Sequence, residues 1–358
     1  MNTYPLHSPV IVSVRDHAHW TEIRYGTIGA SESAALFESV ANESPIEDAE
    51  NNEFEYEENG EPVSPYSSPL SLWALKTRRA IVKPNSSNNR TAWGTNLEPH
   101  IARLIAEKQG WQMRKVTDYY IHPRIARMGA SLDYEIDIDG SGLMLPFEIK
   151  NVGADERWKW KNAVGEWVVP PHIMIQVQHQ LAVTGMPTAF IGVLFGGNED
   201  RIFEVARDDS MIAEIESAVE EFWWYVDNDT QPDANIDRDG WVIRRLYQHA
   251  DPENVVDWSD EEELKELIAE MKLHSSQSNT HKKEAERLRD LLMLRMGTAE
   301  TAVLGDGSLL KAATVAGREM PAYYREAYRV MRVSKEKTKH SGRPLAQIVG
   351  DAVAALVP

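Results

Sequence analysis

Apolar and polar positions alternate with period two from Ala130 to Ile138 and again from Leu143 to Asn151, so both stretches predict strands. The Asp139-Gly140-Ser141-Gly142 turn between them predicts a hairpin. Helical spacing of Leu97, Ile101, Leu104 and Ile105 predicts an amphipathic helix over 95–107. Further helices are predicted over 173–184 and 211–226, and a short one over 71–81. Strands are predicted over 119–121, 188–195 and 201–205. Residues 20–40 read as a turn and then a helix, with an N-cap candidate in Gly29-Ala30-Ser31-Glu32-Ser33. The order helix, three strands, helix, two strands, helix predicts a mixed α/β domain over 1–227.

The rest of the chain reads differently. Residues 43–69 are acidic, contain Pro and Ser, and hold few core residues, which predicts a mobile insert. The polar run DNDTQPDANIDRD spans Asp227 to Asp239, and residues 228–259 read as a linker. Residues 260–358 read as a charged helical extension: two helices broken near 274–279, a small hairpin at Gly305-Asp306-Gly307 and a short apolar helix over 345–357.

Charge refines this picture. The formal net charge is −18, which argues against a general nucleic-acid binder. The distribution is uneven. Nine acids and no Lys or Arg fall between Glu43 and Glu61. Eleven bases against three acids, a local balance of +8, fall between Leu70 and Ala130, enough for a local phosphate-binding surface. With no cysteine, disulfides, Cys-ligated zinc and iron–sulfur clusters are excluded, and a cytoplasmic location is the expectation. No apolar run is long enough for a membrane span, and the N-terminal residues lack the pattern of a signal peptide.

The chemistry centres on Pro146-Phe147-Glu148-Ile149-Lys150. In a strand, Phe147 and Ile149 share one face and Glu148 and Lys150 the other. The hairpin brings Asp133 alongside Glu148, and Glu98 sits in the preceding helix. Carboxylates that converge oppose one another's ionisation unless a cation joins them, and Mg²⁺ or Mn²⁺ prefers oxygen donors. Such a site suits phosphodiester hydrolysis, with Lys150 orienting or deprotonating a water and offsetting phosphate charge. Removing one acid, as in Glu148→Ala, is then expected to abolish cleavage and leave the fold intact. His172 and His179, seven apart, could ligate a metal but are more often ordinary histidines. Trp158, Trp160 and Trp167 could stack on bases but are more often packing.

Four blocks in order carry a resemblance. They are Trp20-Thr-Glu-Ile-Arg24 through Gly29-Ala30-Ser31-Glu32; Trp93-Gly94 with Glu98; Ser131-Leu132-Asp133 with Glu148-Ile149-Lys150; and Gln176-Val177-Gln178-His179-Gln180 through Gly185. Together they resemble the lambda exonuclease / YqaJ-type viral recombinase nucleases, a branch of the PD-(D/E)-x-K superfamily. The resemblance implies a PD-(D/E)-x-K core, a mixed central sheet flanked by helices, followed here by the helical C-terminal extension. It implies metal ligation by Asp133, Glu148 and the Ile149 carbonyl, with Glu98 as an additional ligand, direct or through water, and two ions per site. Lys150 would act on the nucleophilic water, and Gln176, from the neighbouring helix, would help position Lys150 or the water. Arg24, Ser31 and Ser131 would hold the 5′-phosphate or nearby backbone. The implied activity is 5′-to-3′ digestion of one strand of linear double-stranded DNA, leaving a 3′ tail for a single-strand annealing protein. A phage or prophage source and a ring-shaped homotrimer are implied too. A RecB-like or restriction-type nuclease of other polarity, and a non-catalytic DNA-binding scaffold, are the competing readings.

Overall fold

In the computed structural model the residues described are 5–37, 63–80, 89–276, 282–316, 318–320, 323–325 and 328–334. The chain divides into two units, Met1–Asp233 and Ala234–Pro358. In the first, β1 (Val10–Val12), α1 (His17–Tyr25), β2 (Ile28–Gly29) and α2 (Ala30–Ser33) precede α3 (Pro69–Lys76) and α4 (Asn89–Gln109). Then come β3 (Gln112–Lys115), β4 (Tyr119–Ile121), β5 (Met128–Ser131), β6 (Tyr134–Asp137) and β7 (Leu145–Val152). Next, α5 (Pro171–Thr184) leads to β8 (Thr188–Phe195), β9 (Glu199–Ala206) and α6 (Asp209–Asp227).

The strands form two sheets, β3-β6-β7-β8-β9 and β1-β4-β5-β2. In the larger sheet, β7 and β8 are parallel and joined through α5, while the other neighbours are antiparallel. This is the mixed sheet flanked by helices that the sequence predicts. Alternation along β7 sends Phe147 and Ile149 toward α4, where they pack with Ile101, Ala102, Ile105, Tyr134, Ile136 and Phe190. Gly192, opposite Ile149 on β8, allows this approach. A Cβ there would meet Ile105 Cδ1 at 2.8 Å and the Phe147 ring at 2.9 Å. Gly192→Ala is therefore expected to cost about 1–3 kcal/mol through overpacking. Chemical denaturation checks this, and an unchanged midpoint would show that α4 gives way freely.

The hairpin turn has a cause that composition alone does not reveal. The buried Asp137 carboxylate accepts from the N–H groups of Gly140 and Gly142, both at 2.8 Å. Those two glycines take positive φ, +75° and +83°, as the turn requires. What reads as one strand over 130–138 is two. β5 ends at Ser131 in the smaller sheet and β6 begins at Tyr134 in the larger, with Leu132 and Asp133 crossing between them. Residues 20–25, expected as a turn, belong to α1, which starts at an N-cap Asp16 whose side chain accepts from His19 N–H.

The second unit departs from expectation. Within the stretch read as a linker lie α7 (Ile236–Leu246) and β10 (Asp251–Trp258). After α8 (Glu262–Ser276) and α9 (Lys282–Met296) come β11 (Ala299–Leu304), β12 (Leu309–Val315), β13 (Arg318–Met320), β14 (Tyr323–Arg325) and β15 (Tyr328–Ser334). Four of these strands form a sheet, β10-β11-β12-β15, so the unit is mixed rather than helical. Its strands hide in the sequence because charged residues interrupt them. Buried Arg329 stands in β15 and donates to the Ala312 carbonyl at 2.8 Å. The hairpin at Gly305–Gly307 is present between β11 and β12. The apolar helix expected over 345–357 and residues 43–62 of the acidic insert lie outside the described residues. Among the described residues no helix is long and apolar enough to cross a membrane.

Candidate active site

The hairpin register pairs Tyr134 with Phe147, which sets Asp133 opposite Glu148 one step further along. Asp133 Oδ2 accepts the Ile149 N–H at 2.9 Å, fixing the carboxylate against the strand. Glu148 is 5% exposed and lies under α5 rather than on an open sheet face. Its Oε1 accepts from Lys150 Nζ and from Gln176 Nε2, each at 2.7 Å, and its Oε2 accepts from Gln180 Nε2 at 2.7 Å. Lys150 also donates to Gln176 Oε1 at 3.1 Å, closing a triangle. Gln176 and Gln180 are one turn apart on α5, so a single helix face serves one carboxylate. Gln180 stands in the fourth sequence block but received no role there, although its spacing from Gln176 could have flagged one.

Electrostatics separate the roles. Burial, and then the nearby Glu148 and Glu98 carboxylates, push the Asp133 pKa up to about 8. Burial works against the charge on Lys150, but Glu148 outweighs it and the ammonium is held above its ordinary range. Lys150 is thus held as a cation between Glu148 and Gln176. Glu98 is near enough to act on Asp133, but its Oε1 accepts from Lys115 Nζ at 2.6 Å. The structure joins Asp133 and Glu148 and gives the third acid to Lys115. Among the described residues no three His, Asp or Glu side chains stand in a ligating arrangement.

The donor set still fits a hard divalent cation. Asp133 has one hydrogen bond on its carboxylate, leaves Oδ1 for an ion, and resists ionisation in the absence of added positive charge. Glu148, opposite Asp133 on the neighbouring strand, has Oε1 bonded to Lys150 and Gln176 and Oε2 bonded to Gln180.

The expected phosphate residues lie about the smaller sheet: Ser131 ends β5, while Arg24 is in α1 and Ser31 in α2. Parallel pairing of Gly29 with Gly129 carries Ser31 and Ser131 to the same end of β2 and β5, and both are exposed. Trp20 Nε1 donates to Ser131 Oγ at 3.0 Å, and the Arg24 guanidinium lies 4.6 Å above the Trp20 ring. Arg24 also donates to Glu32 Oε1 at 2.6 Å. Beneath it, Glu32 Oε2 accepts from Lys76 Nζ at 2.8 Å and from Gly29 N–H at 2.9 Å. Burial tends to raise the Glu32 pKa, but Lys76 and Arg24 prevail and hold it below the ordinary range. Sequence reasoning gave no role to Glu32 or Lys76, since their meeting is a tertiary event.

The other candidates resolve as follows. His179 is fully buried and donates from Nε2 to the Gly129 carbonyl at 2.9 Å, while burial lowers its pKa to about 4. It supports β5 from α5. Trp160 packs on Phe195 and Phe203, Trp167 packs on Phe195, and Trp158 is exposed. Among the described residues of the basic span, eight bases are in ion pairs, among them Lys76–Glu32, Arg79–Asp229, Lys108–Asp200, Arg114–Glu135, Lys115–Glu98 and Arg127–Asp227. The exposed pairs are worth up to about 1 kcal/mol each, so an arriving phosphate meets little resistance from them.

Comparison with known proteins supplies independent context. Residues 60–187 match the YqaJ-like viral recombinase domain. The uncharacterized protein YqaJ of Bacillus subtilis (strain 168) is 29% identical over 163 residues, 45% of this chain and 48% of that protein. The chain thus spans about half the length of that relative. Crystal structures of the alkaline exonuclease LHK-Exo from Laribacter hongkongensis are also similar. One is 20% identical with a TM-score of 0.40. The other, in complex with dAMP, is 21% identical with a TM-score of 0.41. Each similarity covers 60% of this chain and 94% of that one.

Proposed function

We propose, taking the YqaJ-like match over residues 60–187 as the premise, that the chain is a metal-dependent DNA exonuclease. It would act 5′-to-3′ on linear double-stranded DNA and leave a 3′ tail for a single-strand annealing partner. The observation that carries the reading is the hairpin pairing of Asp133 with Glu148, with Lys150 and Gln176 both bonded to Glu148. Two acids and a fixed ammonium on one strand pair suit phosphodiester hydrolysis better than any other common chemistry.

Asp133, Glu148 and the Ile149 carbonyl would hold two Mg²⁺ or Mn²⁺ ions, with Glu98 joining directly or through water once released from Lys115. When bound, the ions would lower the pKa of a water and neutralise charge on the phosphoryl oxygens. Lys150, kept charged by Glu148, orients the water and donates to the phosphate as negative charge builds. Gln176 fixes the Lys150 ammonium, and Gln180 fixes the far oxygen of Glu148. Arg24, Ser31 and Ser131 receive the terminal phosphate, with Trp20 holding Arg24 from below. A ring-shaped homotrimer around DNA would keep successive cuts on one strand.

The test is a time course on linear duplex labelled separately at each 5′ and 3′ end, with Mg²⁺ or EDTA, beside a closed circle. Early loss of the 5′ label with an intact circle is the expected result. Cutting of the circle would instead make this an endonuclease, and early loss of the 3′ label would reverse the polarity. Arg24→Ala is expected to slow 5′-phosphorylated ends about tenfold or more and 5′-hydroxyl ends much less, since a charge-assisted contact to phosphate is worth about 1.5–3 kcal/mol. Equal loss on both ends would remove Arg24 from end recognition.

A further inference from the structure

We propose that Tyr66, seated on His172, is a nucleobase-stacking residue at the mouth of this site; the inference rests on the nuclease reading above. The face of α5 that serves Glu148 continues outward in steps of four. Gln180, 1% exposed, holds Glu148 Oε2. Gln176, half-buried, joins Glu148 and Lys150. His172, also half-buried, comes next, in the first turn of the helix. The Tyr66 ring stands edge-on to it, with centroids 6.3 Å apart and planes at 80°. Both rings lie within electrostatic reach of Lys150. The stripe therefore runs from a buried acid, through the reactive lysine, to an aromatic pair at the rim.

Tyr66 is 82% exposed, the most exposed large hydrophobic side chain among the described residues. Here the backbone beneath it is braced. Ser64, 3% exposed, accepts from the N–H groups of Tyr66 and Ser67 at 3.2 Å. Ser68 then caps α3, accepting from Ser71 N–H at 3.0 Å while Ser71 Oγ accepts from Ser68 N–H at 2.8 Å. Helix α3 is anchored below by buried Leu70, Leu72 and Trp73. A braced turn displays one ring beside the groups that would act on a scissile phosphate. The base of the nucleotide attached to that phosphate is the flat apolar partner such a ring fits, and stacking of this kind is indifferent to sequence.

The experiment compares Tyr66→Ala and Tyr66→Phe on 5′-phosphorylated duplex with intact or abasic terminal nucleotides, with thermal melting as a folding control. Tyr66→Ala is expected to raise KM about tenfold on intact ends, the loss of one base stack, with the melting temperature unchanged. Tyr66→Phe is expected to keep the wild-type KM. Abasic ends are expected to bring wild type and Tyr66→Ala to the same KM. Equal impairment by Phe and Ala, a difference that persists on abasic ends, or no effect of Ala would each overturn the proposal. Should the wild type digest no DNA, the nuclease reading fails by itself. Fluorescence anisotropy on the same duplexes in Ca²⁺ then decides this inference, which stands only if Tyr66→Ala weakens binding to intact ends alone.

Discussion

Glu148→Gln is expected to leave the protein folded and to lower DNA digestion at least about a thousandfold, equivalent to roughly 4 kcal/mol of transition-state stabilisation. The fold survives because the introduced amide keeps the size of the side chain and an oxygen for Lys150 and Gln176. Its nitrogen would face Gln180 Nε2, but Gln180 Oε1 is buried without a partner, so a flip of the Gln180 amide turns that clash into a hydrogen bond. Activity is lost because the anionic donor is gone. The sequence suggests that Glu148→Ala would be equally harmless to the fold by relieving repulsion. The structure corrects this. Glu148 accepts three hydrogen bonds in a buried position, and its removal strands Lys150 and two glutamines, a cost of about 1–3 kcal/mol. Digestion at the wild-type rate by a folded Glu148→Gln protein would sink the site assignment. Equal melting temperatures for the Ala and Gln variants would sink the account of its surroundings.

Glu32→Leu is expected to have the largest effect on stability. The Lys76 side chain is 1% exposed, and Glu32 is its counter-charge at 2.8 Å. Leaving such a charge unpaired costs about 3–5 kcal/mol, a drop in melting temperature of roughly 10 °C for a unit of this size. Glu32→Gln, which can still accept from Gly29 N–H, should lose less. A pH signature accompanies this. Since the folded Glu32 pKa lies below its unfolded value, its stabilisation is present above the unfolded value and disappears as pH falls through the folded one. The wild type should therefore lose stability on acidification through that window faster than Glu32→Gln does. Parallel acid limbs would show that Glu32 carries no such linkage. Because Arg24 rests on the same carboxylate, either variant should also disturb discrimination between 5′-phosphate and 5′-hydroxyl ends.

The pairing of Asp133 with Glu148 was legible because it depends on local quantities: the alternation of two strands and a Gly-containing turn that sets their register. The roof over Glu148 was not. That strand face carries an acid and a base, which composition assigns to water, yet α5 covers it with polar side chains. Glu32 and Lys76 lie 44 residues apart in sequence, and no local pattern points to their contact. The second unit was misread for a related reason. In α7 the charges of Ile236-Asp237-Arg238-Asp239 obscure the buried Val242 and Ile243, and β10 is largely exposed, so neither shows the pattern of a buried element. Glu98 was placed on the right helix, but its carboxylate follows Lys115, a neighbour that only the turn from α4 into β3 brings near.

The crossing from β5 to β6 has a metric consequence. Ser131 and Asp133 are two residues apart on one nearly continuous extended run, so about 7 Å of chain separates the hydroxyl proposed to hold the DNA end from the carboxylate proposed to act at the cutting point. No hinge or flexible loop intervenes. On the proposed reading, the spacing between anchoring and scission would be a covalent ruler, and the stride along a DNA strand would be set by bond lengths before any larger motion of the protein takes part.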